Sequence, residues 1–219
     1  MTPFLECGPL AARTGDDRVL FDNVSFSLSG SQCVCLDGPS GSGKSTLLRQ
    51  LTALTWSPDA TRRLAGKTYR GAELPAWRSQ VCLIAQDAPM IRGSVLENIS
   101  FPFRQRAGWD KEFAKQNAQE LLDIVGLGEV PLDQDATHLS GGERHRLALV
   151  RALIWDPPVL VADEVLSGLD PEAVEACLGL LIDFSKRQDK LLICVLHDPA
   201  LCLKADRRLH LRDGRLEES

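Results

Sequence analysis

The chain has 219 residues, of which 44% are hydrophobic and 25% are charged, and its formal net charge is -5. This length can bury a substantial core, either as one large α/β domain or as a core with a small inserted lobe. Acidic and basic residues are interspersed without a basic stripe, which argues against a dedicated nucleic-acid binder.

The termini and the hydropathy pattern indicate a protein that works in the cytoplasm. Glu6 interrupts the short apolar run at the N-terminus and no basic region precedes it, so we expect no signal peptide. No apolar run approaches the roughly 20 residues that a membrane span needs.

The chain has seven cysteines. Cys33, Cys35, Cys82 and Cys194 lie in strand-like apolar runs, where a free thiol behaves as a small hydrophobic group. Cys33 and Cys35 have the spacing of a metal-binding pair, but no His or Cys follows at zinc-finger spacing. We therefore expect buried, free thiols and a reducing compartment.

The first 30 residues read as a β region, with strand-like patterns at residues 19–21 and 24–28 and a turn at 29–31. A glycine-rich segment then follows the apolar run 33–36 and precedes a helical pattern that we expect to end near residue 54. The segment reads Gly38-Pro39-Ser40-Gly41-Ser42-Gly43-Lys44-Ser45-Thr46. It fits Gly-x-x-x-x-Gly-Lys-Ser/Thr, in which backbone N–H groups and a helix N-terminus cradle phosphates. Lys44 would bridge the outer phosphates, and the Ser45 hydroxyl would be a ligand of Mg²⁺.

Residues 62–77 are rich in turn formers, and the apolar run 81–85 that follows predicts a short buried strand. This strand delivers Gln86 at its carboxyl end, which is where ligands bind in open α/β sheets.

Residues 87–155 form a predicted helical insertion, because the strand pattern disappears there and apolar residues recur every three or four positions behind a candidate N-cap at Asp110. A second helix in this block follows Ser140, which with Glu143 fits a capping box. Gly141 and Gly142 leave bare N–H groups at that helix start, which suits a second anion site.

The sheet pattern resumes at residues 159–162 and ends in Asp163 and Glu164. Two carboxylates at the end of a buried strand are costly unless a cation or a water network needs them. Asp170 followed by Pro171 predicts a helix start, the apolar run 191–196 ends on His197, and residues 213–214 predict a tight hairpin turn.

These segments together resemble the nucleotide-binding subunit of ABC transporters over essentially the whole chain. The Ser-Gly-Gly segment between the P-loop and the Asp-Glu pair is the specific part of the resemblance. It implies a P-loop NTPase core with a mainly parallel sheet, an N-terminal antiparallel β region and an inserted helical subdomain. Residues 1–86 and 156–219 would form the α/β core of a single ATPase domain, and residues 87–155 the helical subdomain.

The resemblance also implies the role of each segment in binding and hydrolysing Mg·ATP. Residues 38–46 match the Walker A loop, Asp163 the Walker B aspartate that positions Mg²⁺, and Glu164 the carboxylate that polarises the attacking water. Gln86 matches the Q-loop residue that contacts Mg²⁺, and His197 the histidine that contacts the γ-phosphate. Asp170 is similar to the D-loop aspartate, although it would cap a helix in any case.

The resemblance further implies a dimer in which each ATP would lie between the Walker A loop of one subunit and the Ser140-Gly141-Gly142 segment of the other. A transmembrane permease subunit would dock near residues 86–103 and hold the protein at the inner face of the cell membrane. The sequence at Gln86 and residues 93–103 resembles that of stand-alone ATPases of a bacterial metal-export type. An iron exporter is one member of this type.

Three positions depart from the family pattern. The aromatic residue that usually stacks on adenine falls about where Ala12 and Arg13 lie, and Arg13 could stack its guanidinium plane on the base instead. Val165 replaces a common proline, and His145 replaces a frequent glutamine. None of these changes removes a catalytic group.

Two rival interpretations come from the same motifs. A soluble ABC ATPase could power an assembly process such as iron–sulfur cluster assembly without a membrane partner. A degenerate module could bind ATP as a switch, although the presence of Lys44, Asp163, Glu164 and His197 argues against it.

Overall fold

A computed structural model describes residues 4–55, 57–105, 111–196 and 202–218. In chain order the strands are β1 (Leu5–Arg13), β2 (Val19–Leu28), β3 (Gln32–Asp37), β4 (Thr61–Leu64), β5 (Lys67–Tyr69), β6 (Val81–Ile84), β7 (Val159–Asp163), β8 (Leu191–Val195), β9 (Arg207–Arg212) and β10 (Arg215–Glu218). The α-helices are α1 (Lys44–Leu51), α2 (Leu74–Gln80), α3 (Val95–Ser100), α4 (Lys115–Ile124), α5 (Gly141–Trp155) and α6 (Pro171–Lys186).

The strands form two sheets. An antiparallel sheet has the order β2-β1-β4-β5, and a six-stranded sheet has the order β10-β9-β3-β8-β7-β6. Within the second sheet β9, β3, β8, β7 and β6 run parallel, and β10 pairs antiparallel with β9 through the turn at residues 213–214. The predicted α/β class, with its antiparallel N-terminal region and helical insertion, is confirmed.

The central strands β7 and β8 are buried along their whole length, which explains why they read as unbroken apolar runs. Alternate residues point to two separate cores. Val159 and Val161 pack in the core that contains α1 and the antiparallel sheet, whereas Leu160 and Ala162 pack in the core that contains α4, α5 and α6. The sheet therefore holds the two halves of the fold together.

Several predicted boundaries were wrong. Helix α1 ends at Leu51 rather than near residue 54, and the stretch 62–77, expected to be turns, contains parts of β4 and α2 as well as β5. These strands are short and carry several charged residues, so their pattern is weak. Helix α4 begins at Lys115 with Ala114 as its N-cap, later than the predicted start at Asp110, which lies outside the described residues.

The cysteines are only partly as predicted. Cys33 and Cys194 are buried and free, and Cys82 is half-buried and free. Cys35, however, is joined to Cys202 in a disulfide, with their Cα atoms 5.7 Å apart. The expectation that Cys35 is free was therefore wrong, because the fold brings together two cysteines that are 167 positions apart in sequence.

Candidate functional site

The P-loop connects β3 to α1 at the carboxyl edge of the parallel sheet. Lys44 is only 8% exposed, and its ammonium group donates to the carbonyl oxygens of Gly38 (2.9 Å) and Pro39 (3.1 Å). Gly38 has φ 144°, and an added Cβ would lie 2.3 Å from the Leu211 carbonyl oxygen, so only glycine fits there. The loop thus wraps around the lysine and holds its charge at the mouth of the cradle.

Helix α1 starts at Lys44 without a side-chain cap, because its N-cap residue is Gly43. The N–H groups of its first turn are therefore available to an anion. The Ser42 hydroxyl is buried without a hydrogen-bond partner among the described residues. Loop and helix together have the shape expected of a phosphate cradle, and phosphate binding by them stays a prediction.

Asp163 ends β7 and is 2% exposed. Burial raises the pKa of its carboxyl group above the ordinary value, the neighbouring Glu164 adds to the rise, and a hydrogen bond with the Ser45 side chain opposes it. Its Oδ1 atom has no hydrogen-bond partner among the described residues. A buried carboxylate oxygen beside a hydroxyl group fits Mg²⁺, which takes oxygen ligands from one or two carboxylates and from substrate phosphates.

Glu164 and Gln86 meet at the same edge because β6 and β7 are parallel neighbours, with Ile84 opposite Ala162. The Gln86 side-chain amide donates to Glu164 Oε2 at 2.8 Å. Glu164 has φ 54°, in the left-handed region that a non-glycine residue seldom adopts. Such backbone strain is concentrated at functional sites.

A further contact at this edge was missed by the sequence analysis, which treated His145 only as a departure from the family pattern. His145 Nε2 lies 2.7 Å from the Gln86 carbonyl oxygen, and this oxygen can only accept, so Nε2 carries the proton. Arg151, also on α5, donates to the Pro89 carbonyl oxygen at 3.0 Å. Helix α5 therefore holds the segment that carries Gln86. The sequence shows that a histidine is present at position 145, but not which residue it contacts.

The predicted capping box at the start of α5 is confirmed. Ser140 Oγ accepts from the Glu143 N–H (3.3 Å), and Glu143 Oε2 accepts from the Ser140 N–H (2.7 Å). A Cβ added to Gly141 would meet open space. Among the described residues, no hydrogen bond joins the segment 140–142 to the P-loop of the same chain.

Arg13 and Asp170 each make a hydrogen bond within their own segment: that of Arg13 was not predicted, and that of Asp170 is the predicted helix cap. Arg13, at the end of β1, donates to the backbone and the carboxylate of Asp17, each at 3.3 Å. The Asp170 carboxylate accepts from the Ala173 N–H at 2.9 Å and so caps α6, the alternative that the sequence left open. His197 lies outside the described residues.

The base of the P-loop has an anchor that the sequence analysis also missed. Asp37, the residue before Gly38, bonds to Arg208 at 2.5 Å and to the His210 ring, both on the neighbouring strand β9. Burial opposes ionisation of Asp37, but these hydrogen bonds and the nearby positive charge leave its pKa below the ordinary value. The pairing fixes the start of the loop to the sheet.

Comparisons with known proteins agree with this geometry. The family model described as "ABC transporter" matches residues 21–167. The lipoprotein-releasing system ATP-binding protein LolD 2 of Rhodospirillum rubrum is 33% identical, over 98% of this chain and 96% of its own length. The methionine import ATP-binding protein MetN of Geobacillus kaustophilus is 35% identical, over 90% of this chain and 58% of its own length.

Solved structures show the same fold. The ATP-binding cassette MJ0796, in a dimeric post-hydrolysis state bound to ADP and Pi, matches with a TM-score of 0.85 and 26% identity, over 98% of this chain and 97% of its own. A bacterial Atm1-family ABC exporter with ATP bound matches over 99% of this chain and 38% of its own, with a TM-score of 0.84 and 22% identity.

The chain therefore belongs to the ABC transporter family, as one of its ATP-binding ATPase subunits. Within the ranges that the structure describes, no helix combines the length and the apolar character that crossing a bilayer would need.

Proposed function

We propose that two copies of this chain bind two Mg·ATP molecules at shared sites, and that hydrolysis drives a separate transmembrane permease. The observation that carries the proposal is the meeting of Lys44, Asp163, Glu164 and Gln86 at one edge of the sheet. The dimeric state named for the MJ0796 structure supports the shared sites.

Each residue has a task that its position suits. Lys44 and the N–H groups of the P-loop bind the phosphates and stabilise the charge that develops on them during transfer. Glu164 accepts a hydrogen bond from the attacking water, with its carboxylate oriented by Gln86. His197 contacts the γ-phosphate, and Arg13 stacks on adenine after leaving Asp17. Ser45, Asp163 and Gln86 would hold Mg²⁺, which supplies positive charge against the phosphate oxygens.

The second half of each site comes from the other copy. At the start of α5, Ser140 and Gly141 are exposed and Gly142 is half-buried. The N–H groups of this segment can bind the γ-phosphate of the partner subunit's nucleotide. Asp170 lies beside the same interface. A monomer would then hold only half of each site.

The capping box gives a test of this role. Ser140→Ala should cost about 1 kcal/mol of unfolding free energy through the lost cap, and it should also abolish most Mg·ATP-dependent dimer formation. Ser94 caps α3 with the same box, formed with Glu97, so Ser94→Ala calibrates the loss of a cap alone. Urea unfolding and size-exclusion chromatography measure the two effects. Equal losses of dimer in both variants would contradict a specific role for Ser140.

The contact between His145 and Gln86 gives a second test. His145→Ala should lower kcat for ATP about 10-fold and change KM little, because the side chain positions the Gln86 segment without touching the nucleotide. His145→Gln should restore most of the loss, since its amide can donate to the same carbonyl oxygen. Steady-state kinetics of the purified chain decide the point. A rise in KM at constant kcat, or no rescue by glutamine, would count against it.

The permease has a candidate docking groove of about 500 Å³ between α2, β6, α5 and the turn that follows α3. Leu83, Phe101 and Pro102 give it an apolar floor and wall, and Arg78 and Arg151 give it a basic rim. An amphipathic helix with an acidic end, from a cytoplasmic loop of the permease, complements this surface. The groove overlaps the docking segment 86–103 only in part, because Val95 and Ile99 are buried in the core.

Affinity capture tests the membrane partner. Tagged Glu164→Gln protein with Mg·ATP should co-purify a multi-span membrane protein from detergent-solubilised native membranes, identified by mass spectrometry. Adding Phe101→Asp should abolish the capture, whereas adding Ile124→Asp, at an exposed residue outside the groove, should not. Capture of soluble proteins alone would favour an assembly ATPase instead.

For the cargo we propose metal export, with iron as one candidate. It rests on the resemblance of Gln86 and residues 93–103 to ATPases of that type. The relatives' names cover lipoprotein release, methionine import and macrolide export, so the sequence of the captured permease is the test.

A further inference from the structure

A cavity of about 610 Å³ lies between the segment that follows α1, strand β4 and helix α2. Its volume falls within the range of sites that bind small molecules. None of the P-loop residues lines it, and neither do Asp163, Glu164 or Gln86. It is therefore separate from the proposed nucleotide site.

The inner wall of the cavity contains a buried arginine. Arg62 is 3% exposed, and its terminal nitrogens donate to the carbonyl oxygens of Gln50 (2.8 Å) and Ala60 (3.4 Å) and to the Ser57 hydroxyl. Its Nε atom has no partner, and no carboxylate of the described residues pairs with it. A buried charge without a carboxylate partner is costly, and an anion in the cavity would offset that charge.

Two more arginines line the same cavity. Arg70 donates to Thr61 Oγ1 at 3.3 Å, and Arg78 donates to the Ala53 carbonyl oxygen at 3.3 Å. Asp59 supplies the one carboxylate of the described lining, against three guanidinium groups. The arginines are thus held in place by backbone and hydroxyl groups, and positive charge exceeds negative charge in the described lining.

We propose that this cavity binds a phosphate-bearing anion, either a soluble phosphate or the headgroup of an anionic phospholipid. A planar guanidinium group can donate two parallel hydrogen bonds to a phosphate, and Arg70 and Arg78 keep free donors for this, whereas the buried Arg62 contributes positive charge. Arg78 also lines the proposed permease groove, so the anion would lie beside the docking surface.

The test uses the Lys44→Ala protein, which removes the charged side chain of the P-loop from the measurement. Calorimetric titration with inorganic phosphate should show one saturable site. Arg70→Gln should weaken binding about 10-fold, and the double change Arg70→Gln/Arg78→Gln about 100-fold. The matched control is Arg63→Gln, because Arg63 is the next residue on β4 and pairs with Glu6 instead. Its affinity for phosphate should equal that of the Lys44→Ala parent.

A flotation experiment identifies the source of the anion. If the headgroup is the ligand, the protein should float with vesicles that contain phosphatidylglycerol and not with phosphatidylcholine vesicles. Calorimetric binding of phosphate without flotation indicates a soluble ligand. Either result supports the site if the double variant weakens that binding about 100-fold. The proposal is overturned if the Lys44→Ala protein binds neither probe, or if Arg63→Gln weakens binding as much as the double variant does.

Arg62→Leu gives an independent readout, since it replaces the buried charge with an apolar side chain. It should eliminate phosphate binding while the protein still unfolds cooperatively. If that variant does not fold, the exposed positions Arg70 and Arg78 decide the question. Retention of ATP binding by the Lys44→Ala protein would refute the nucleotide site. The phosphate titrations would then be repeated at a saturating ATP concentration, so that a filled ATP site cannot bind the added phosphate.

Discussion

Glu164→Gln is expected to retain ATP binding, to lose at least about 100-fold in turnover and to accumulate an ATP-bound dimer. The substituted amide keeps an oxygen that can accept the 2.8 Å hydrogen bond from Gln86, so the local geometry is preserved. What it loses is the negative charge that draws a proton from the attacking water. Phosphate release and size-exclusion chromatography with Mg·ATP measure the two effects.

Glu120→Gln is the matched control for this variant. Glu120 is an exposed acid on α4, which carries none of the proposed site residues, and its substitution makes the same change of charge. Its turnover should equal that of the parent. Undiminished turnover in Glu164→Gln, with only monomer on the column, would show that the assigned role of Glu164 is wrong.

Lys44→Ala is expected to abolish detectable nucleotide binding. The ammonium group is held by the Gly38 and Pro39 carbonyl oxygens, so its removal takes away both the charge and the group that shapes the loop. Losing these two hydrogen bonds should also cost about 1 to 3 kcal/mol of unfolding free energy. Titration with a fluorescent ATP analogue measures the affinity.

Lys190→Ala separates binding from stability. Lys190 also donates to two backbone carbonyl oxygens, those of Asp156 (3.1 Å) and Pro157 (3.2 Å), but it lies outside the site. Its loss should lower the free energy of unfolding and leave the affinity for the ATP analogue unchanged. Equal affinities in the Lys44→Ala and parent proteins would refute the P-loop assignment.

The sequence predicted the elements whose pattern is local. Strands β3, β6, β7 and β8 were found because each is a short apolar run, and parallel strands buried on both faces need such runs. The helix starts at Ser140 and Asp170 were found because a cap needs only its own first turn. Strands β4 and β5 were missed because charged residues break their pattern, and Arg62 occupies a position where a buried apolar side chain is usual.

The sequence by itself identified the residues that carry the proposed chemistry: a P-loop, two carboxylates and a glutamine, each placed at the end of a strand or the start of a helix. Their identities are local properties of the chain, so a single sequence can reveal them. Only the tertiary structure decided which distant segments meet. Its results are the hydrogen bond from His145 to Gln86, the pairing of Asp37 with β9, the disulfide between Cys35 and Cys202, and the arginine-lined cavity. These contacts depend on the order of strands in the sheet and on the side chains that packing brings together, and no spacing along the chain encodes them.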